Sequence, residues 1–251
     1  MIPEVRIIGV TCPPAIMPGA DLGRVIVDAA GHQGLAFDRG DILVVTHKIV
    51  SKAEGQLVDL GTVTPSAFAE ELARTQDRDP RLVEMVLRES RRVVKMDQRT
   101  IITETRQGLV CANAGVDESN VSGGGVVTLL PVDPDRSARR LRGAIRELTG
   151  VELAVIVSDT FGRPWREGFV NVAIGVAGLE PLKDYRGVPD TEGHLLKATV
   201  LAVADELAAA AELVMGKLDR IPVAVIRGYP YTPGEGTARQ MQRAPEKDLF
   251  R

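Results

Sequence analysis

The stretch that most constrains this chain runs from Leu153 to Glu167, Leu-Ala-Val-Ile-Val-Ser-Asp-Thr-Phe-Gly-Arg-Pro-Trp-Arg-Glu. Its first half is an unbroken apolar run. Its second half turns abruptly to acid, hydroxyl, glycine and two arginines. A short continuous apolar run bounded by turn residues reads as a strand buried on both faces. In open α/β sheets, ligands gather beyond the carboxyl ends of such strands. The reading is therefore a core strand that delivers Asp159 and Thr160 to a rim, with Arg163 and Arg166 in the loop that follows. Trp165, the one tryptophan of the chain, lies between the two arginines.

The same pattern of an apolar strand ending in polar residues recurs. Val5–Val10 runs into the proline-rich loop Thr11–Gly19, whose prolines leave few backbone N–H donors. Ile42–Val45 runs into Thr46, His47 and Lys48, and then Ser51-Lys52-Ala53-Glu54-Gly55. Thr100–Ala112 reads as two strands joined through Gln107-Gly108. They open into Asn113-Ala-Gly-Val-Asp117-Glu118-Ser119-Asn120. Val126–Leu130 and Pro222–Ile226 complete the strands. Helices are expected over Asp21–Ala30, between Ser66 and Arg92 with starts signalled at Thr64-Pro65 and Asp79-Pro80, over Pro134–Leu148 behind the cap Asp133, and over the alanine-rich Leu195–Met215. Val170–Val176 is apolar and core-forming, Lys183–Gly187 a charged loop, and the tail from Thr237 polar with a short helix. Strands and helices are mixed without strict alternation. This favours an α/β or mixed α+β architecture, mixed sheets with flanking helices, over a TIM barrel.

The 251 residues suffice for one large domain or two small ones. A net charge of −3 and 4% aromatics offer neither the basic field nor the stacking surface of a nucleic-acid binder. Two cysteines, Cys12 and Cys111, do not make a disulfide framework in a chain of this length. No apolar run approaches the ~20 residues of a membrane span, and no signal peptide is read, so a cytoplasmic protein without membrane partners is expected.

Three strand ends thus offer Lys52, then Asp117 and Asn120, then Asp159 and Thr160. Carboxylate and hydroxyl oxygens are hard ligands suited to Mg²⁺ or Mn²⁺. Lys52, Arg163 and Arg166 add charge of the kind that neutralises phosphoryl groups in transfer. Plainer roles stay open: Asp117 as a turn residue, Asn120 as an Asx cap, Asp159 as a helix cap. His32, His47 and His194 have no zinc spacing. Neither a Gly-x-x-x-x-Gly-Lys-Ser/Thr loop nor a Gly-x-Ser-x-Gly elbow is present. The residues alone stop at metal-assisted phosphate chemistry.

A resemblance extends this. Val50-Ser-Lys-Ala-Glu-Gly55, Asn113–Asn120, Ser158-Asp-Thr-Phe-Gly-Arg163, Lys183-Asp-Tyr-Arg-Gly187 and Val203-Ala-Asp-Glu-Leu207, in this order, resemble the coenzyme F420-0:L-glutamate ligase family from about Val5 to Gly228. The resemblance implies an α/β ligase domain over residues 1–251, with room for two intertwined subdomains, no P-loop, and a homodimer. It implies a GTP-dependent amide ligase that adds L-glutamate to F420-0, then a γ-linked glutamate, through an acyl phosphate with release of GDP and phosphate. It implies two divalent ions, Mg²⁺ or Mn²⁺, with K⁺ as a further cofactor. Asp117 and Asp159 would bind metal, and Thr160 would assist the second ion. Lys52 and Asn120 would contact GTP, as would the early loop Thr11, Cys12, Pro13 and Pro14. His47 and Lys48 belong to the same nucleotide set, at a position that is often small and hydroxylic in relatives. Arg163 and Arg166 are candidate clamps for substrate carboxylate or phosphate, and Asp184 a candidate general base. Some relatives carry an acid after the Met-Gly that ends the long helix; this chain has Lys217, and no metal ligand is assigned there. Some also carry a nitroreductase-like flavin domain, which is not expected in a chain ending at Arg251. The rival readings are a metal-dependent nucleotide hydrolase and a noncatalytic nucleotide-binding dimerisation module.

Overall fold

A computed structural model describes residues 2–13, 15–118 and 125–248. In chain order the elements are β1 (Arg6–Val10), α1 (Leu22–His32), β2 (Ile42–Thr46), α2 (His47–Ala53), β3 (Leu57–Asp59), α3 (Ala67–Gln76), α4 (Pro80–Arg88), β4 (Ser90–Met96), β5 (Ile101–Thr105), β6 (Val110–Ala112), β7 (Val126–Thr128), α5 (Pro134–Thr149), β8 (Ala154–Arg163), β9 (Arg166–Ala177), β10 (Lys183–Asp184), β11 (Val200–Leu201), α6 (Val203–Met215) and β12 (Val223–Arg227). Short 3₁₀ turns cover Leu60–Thr62, Asn113–Gly115, Ala238–Met241 and Pro245–Lys247.

The central sheet has the order β1-β12-β2-β8-β9. Only β2 and β8 run parallel; the other neighbours are antiparallel. The sheet is therefore mixed, as expected from the uneven succession of strands and helices. Because successive strand residues face opposite sides, the unbroken apolar runs fill two cores at once. Leu43, Val45, Val155, Val157, Val223 and Val225 face one layer, with Ile26 of α1, Ile49 of α2 and Leu141 and Ile145 of α5. Ile42, Val44, Ala154, Ile156, Ala224 and Ile226 face the other, where α6 lays down Ala204, Leu207, Ala208 and Ala211. At the sheet's edge Arg227 grips the buried Asp41 through Nε and Nη2 at 2.8 and 2.7 Å, tying β12 to the entry of β2. Two smaller cores join α3 and α4 to the β3–β7 pair and the β4-β5-β6 sheet.

Several boundaries differ from the sequence expectation. Within Ser66–Arg92, α4 starts at the Asp79-Pro80 cap as expected, but α3 is capped by Ser66 and not by Thr64-Pro65, and the last residues are strand β4. The run from Leu195 is not helical at first: it holds strand β11 (Val200–Leu201), and α6 starts only at Val203. The strand expected over Val126–Leu130 ends at Thr128. The largest difference is at the opening stretch. Asp159, Thr160 and Arg163 are not in a loop: β8 continues through them and pairs with β9 as a long hairpin, and Arg166 opens β9. Likewise the residues after β2 are helical, so Lys52 is on α2.

A β-bulge shapes the hairpin where it leaves the core. Val157 pairs with Gly175 and Ser158 with Ala173, so Ile174 is the extra residue. Bulges bend a strand and sharpen its twist. The N–H of Ala173, freed there, donates to Asp205 Oδ1 of α6 at 2.9 Å. On the opposite face Asp135 Oδ1 of α5 accepts from the N–H of Val176 and of Ala238, both at 2.8 Å. Gly175 lets the two layers close: a Cβ there would press into the Pro134 carbonyl at the start of α5. Backbone cannot yield as a side chain tip can, so Gly175→Ala is expected to cost about 1–3 kcal/mol, read as a lowered denaturant midpoint at unchanged m-value.

Candidate functional site

Parallel pairing of β2 and β8 ends at Thr46 opposite Ser158. Beyond that rung the chain after β2 coils into α2, while β8 runs on beside β9 alone. The divergence opens a cavity of about 410 Å³ at the carboxyl ends of these two strands. Lys48 and Lys52 line it from α2, Cys12 and Pro13 from the early loop, and Asp159 and Thr160 from β8. Lys217 and Arg220 close it from the segment after α6.

Asp159 has a side chain only 14% exposed. Its Oδ1 accepts from the Thr160 N–H at 2.6 Å and lies 3.2 Å from His47 Nε2. His47 Nδ1 lies 3.4 Å from Ser51 Oγ, one helical turn on. With the ring proton on Nε2, His47 donates to Asp159 and accepts from the serine hydroxyl. His47 is buried (1% exposed), so its side chain backs the carboxylate instead of facing the cavity.

Lys48 and Lys52 share a face of α2, being four residues apart. Lys48 Nζ meets Asp117 Oδ2 at 2.7 Å. The Lys52 ammonium is held below the usual lysine range, chiefly by burial and then by Lys48, with Asp117 opposing. Asp117 is placed by reciprocal backbone bonds with Thr128, 3.0 and 2.8 Å. Ahead of it Asn113, Ala114 and Gly115 all have left-handed φ (53°, 53° and 68°), a run that L-residues resist. Gly115 is required twice over, since a Cβ would meet the Leu130 side chain within 3.0 Å. Arg78 Nη1 steadies the run at Asn113 Oδ1, 3.0 Å away.

Thr160 faces the other way. Its hydroxyl donates to Asn171 Oδ1 at 2.7 Å and accepts from Lys217 Nζ at 2.5 Å. Asn171 Nδ2 donates to Glu212 Oε2 at 2.8 Å, and Glu212 Oε1 is 3.5 Å from Lys217 Nζ.

The remaining candidates lie elsewhere. Thr11 does not line the cavity; its N–H and C=O are bound by the Gln33 side chain at 3.2 and 3.1 Å. Arg163 and Arg166 flank the Pro164-Trp165 turn at the hairpin tip and do not line the cavity. Arg163 Nη2 donates to the Glu167 carbonyl at 2.5 Å, closing its own turn. Asp184 is outside the cavity too; both its oxygens take the Arg186 guanidinium, which holds the carboxyl down to about 2. A carboxylate so held is a poor base near neutral pH. Pro14 and Asn120 lie outside the described residues. Asn171 and Glu212 escaped the sequence reading, and Lys217 had no role in it. Asn171 carried a faint signal, a polar residue within the apolar run Val170–Val176.

Asp159 lines the cavity and Asp117 does not; the Asp159 carboxylate suits a hard divalent ion, and the buried Ser158 Oγ, without a hydrogen-bond partner among the described residues, adds an orphaned oxygen to the cavity wall. At Thr160 the fit fails, because the Lys217 ammonium already holds the hydroxyl. Around the cavity, Lys48, Lys52, Lys217 and Arg220 outnumber Asp159 and Glu212, a balance that favours a polyanion with its counter-ion.

Burial pushes the Cys12 thiol, on the cavity wall, up to about 11 and Cys111 up to about 12. From a reference of 9.0, the native protein at pH 8 should carry about 100-fold less Cys12 thiolate and less still of Cys111. Progress curves with a chromogenic disulfide should show both thiols slow in the native protein and fast in guanidinium chloride. Equal rates would contradict their burial.

Residues 11–228 match the F420-0:Gamma-glutamyl ligase family. The coenzyme F420:L-glutamate ligase of Methanopyrus kandleri is 47% identical over 255 residues, covering 100% of this chain and 99% of the relative. That of Methanothermobacter thermautotrophicus is 47% identical over 250 residues, 98% of this chain and 99% of the relative. That of Methanocaldococcus jannaschii is 46% identical over 216 residues, 86% of each. The chain belongs to the F420-0:gamma-glutamyl ligase family.

Proposed function

We propose that this chain is a ligase that joins L-glutamate to coenzyme F420-0 by an amide bond, with GTP as the energy source, and then adds a γ-linked glutamate. The observation that supports it best is the cationic cavity at the parallel-strand ends, where Lys48, Lys52 and Arg220 surround Asp159. An amide cannot form readily from a carboxylate in water, because the leaving group would be oxide; phosphorylation supplies a better one. A carboxylate oxygen of F420-0 attacks the γ-phosphorus of GTP, the bond to the β-phosphate oxygen breaks, and GDP leaves. The glutamate amine attacks the resulting acyl phosphate, loses a proton, and the carbon–oxygen bond to phosphate breaks.

Lys48 and Lys52 hold the phosphate chain, and partial burial, with Lys48 alongside, lowers the affinity of Lys52 for its proton. Asp117 and Asp159 are the residues for a divalent ion, Mg²⁺ or Mn²⁺, which supplies charge neutralisation on the phosphate oxygens when bound. His47 keeps the Asp159 carboxylate oriented from behind, the part that hydrogen-bonded partners of ligating carboxylates play.

Mass spectrometry of F420-0 incubated with the protein, GTP, Mn²⁺ and glutamate should show the gain of one glutamyl unit and then a second. Asp159→Asn should abolish both the product and metal-dependent GDP release while keeping the wild-type circular dichroism. Unchanged F420-0 with the wild type would sink the ligase reading, and rapid GDP release without F420-0 would favour a nucleotide hydrolase.

A homodimer is part of the same reading. Trp165 and Phe169 of the β8–β9 hairpin and Leu213 of α6, exposed by 86%, 75% and 83%, are large apolar side chains that favour a covered surface. Light scattering should report twice the chain mass, and Phe169→Asp should shift it toward one chain. The wild type at the mass of a single chain would refute the dimer.

A further inference from the structure

The two neighbours Asp159 and Thr160 do not serve one site. Side chains alternate along a strand. Asp159 follows Val155 and Val157 onto the face of α1, α2 and α5, where it meets His47. Thr160 follows Ala154 and Ile156 onto the face of α6, where it meets Asn171, Glu212 and Lys217. A cation bound by Asp159 therefore leaves the Thr160 oxygen to another positive group.

That group is already present. Thr160, Asn171, Glu212 and Lys217 form a closed ring of polar contacts. The threonine proton goes to Asn171 Oδ1 and the asparagine amide to Glu212 Oε2. The lysine ammonium spans the threonine oxygen at 2.5 Å and Glu212 Oε1 at 3.5 Å. The one carboxylate of the ring is thus balanced by the one ammonium. Lys217 also follows the C-terminal end of α6, where the helix dipole favours a cation. A divalent ion within about 2 Å of the Thr160 oxygen would lie close to the ammonium, with like charge.

We propose that Lys217 is this chain's built-in second cation: it takes the place at Thr160 where a second divalent ion is expected, so that the site works with a single divalent ion. This rests on the reading of the cavity as a metal–nucleotide site. Lys217 is then a positioning residue, holding Thr160 and the phosphates near it with a charge that does not dissociate when metal is scarce.

The test counts ions, not turnover. Mn²⁺ is titrated into wild type, Lys217→Glu and Lys217→Arg, each with an equimolar non-hydrolysable GTP analogue, and free Mn²⁺ is read from its electron paramagnetic resonance signal against a protein-free control. The Lys217 side chain is 60% exposed, so the substitutions should not disturb folding, which thermal melts check. Wild type and Lys217→Arg should bind the same number of ions. Lys217→Glu should bind one more per chain, with the broadened spectrum of a spin-coupled pair. A coupled pair in the wild type would overturn the proposal and leave the metal–nucleotide reading standing. An unchanged count in Lys217→Glu would overturn it as well. No protein-dependent binding in any of the three would overturn both.

Discussion

The rest of the site depends on the point where β8 loses its parallel partner. Up to Ser158 the strand is bonded on both sides and buried on both faces, so its side chains can only be apolar. One rung later β2 has become α2, and β8 is bonded to β9 alone. The backbone remains satisfied by that one ladder, so polar side chains can be carried outward without orphaned N–H groups. The change from Val157 to Asp159 in sequence is the change from a sheet interior to a sheet rim. The bulge at Ile174 turns the rim, and Asp205 takes the N–H released by it. Burial holds the Asp205 carboxyl above the usual range, with the Ala173 N–H drawing it back.

Charge at the site is arranged in pairs with unequal exposure. Asp159, its side chain 14% exposed, is oriented by an imidazole and a backbone N–H. Asp117 is more open, and its partner is the full charge of Lys48. The carboxylate backed by dipoles attracts an incoming cation strongly, whereas the one already paired must exchange partners. The same exchange would turn Lys48 from Asp117 toward an anion, so ion entry and phosphate entry favour each other. The crowding of Lys48 and Lys52 on one helical face, unfavourable in isolation, is relieved by the same ligands.

Much of this was legible in the chain. The apolar runs named the central strands because burial on both faces leaves no alternation to misread. Asp133-Pro134 named the start of α5, since a capping carboxylate and a proline at the first helical position each satisfy a local requirement. The Asn-Ala-Gly run before Asp117 was recognisable as a motif, but its left-handed backbone was not, because only Gly115 advertises such a conformation. The continuation of β8 was illegible for a different reason. Asp159 and Gly162 are poor strand residues by propensity, and the long-range pairing with β9 overrides it. Likewise Val200–Leu201, inside the stretch expected to be helical, is extended because it pairs with β10.

The adjacency of Asp159 and Thr160 shows what sequence proximity conceals. Read along the chain, an acid and a hydroxyl side by side look like two donors to one ligand. A strand forbids that reading, since its period of two sends them to opposite layers. Each then acquires partners from elements distant in sequence: His47 from α2 for the acid, Asn171, Glu212 and Lys217 for the hydroxyl. The dipeptide is less a ligand pair than a partition between an α2 side, where His47 backs the acid, and an α6 side, where Asn171, Glu212 and Lys217 surround the hydroxyl. One cavity spans the strand edge between them, so a substrate lying across that edge meets both kinds of charge.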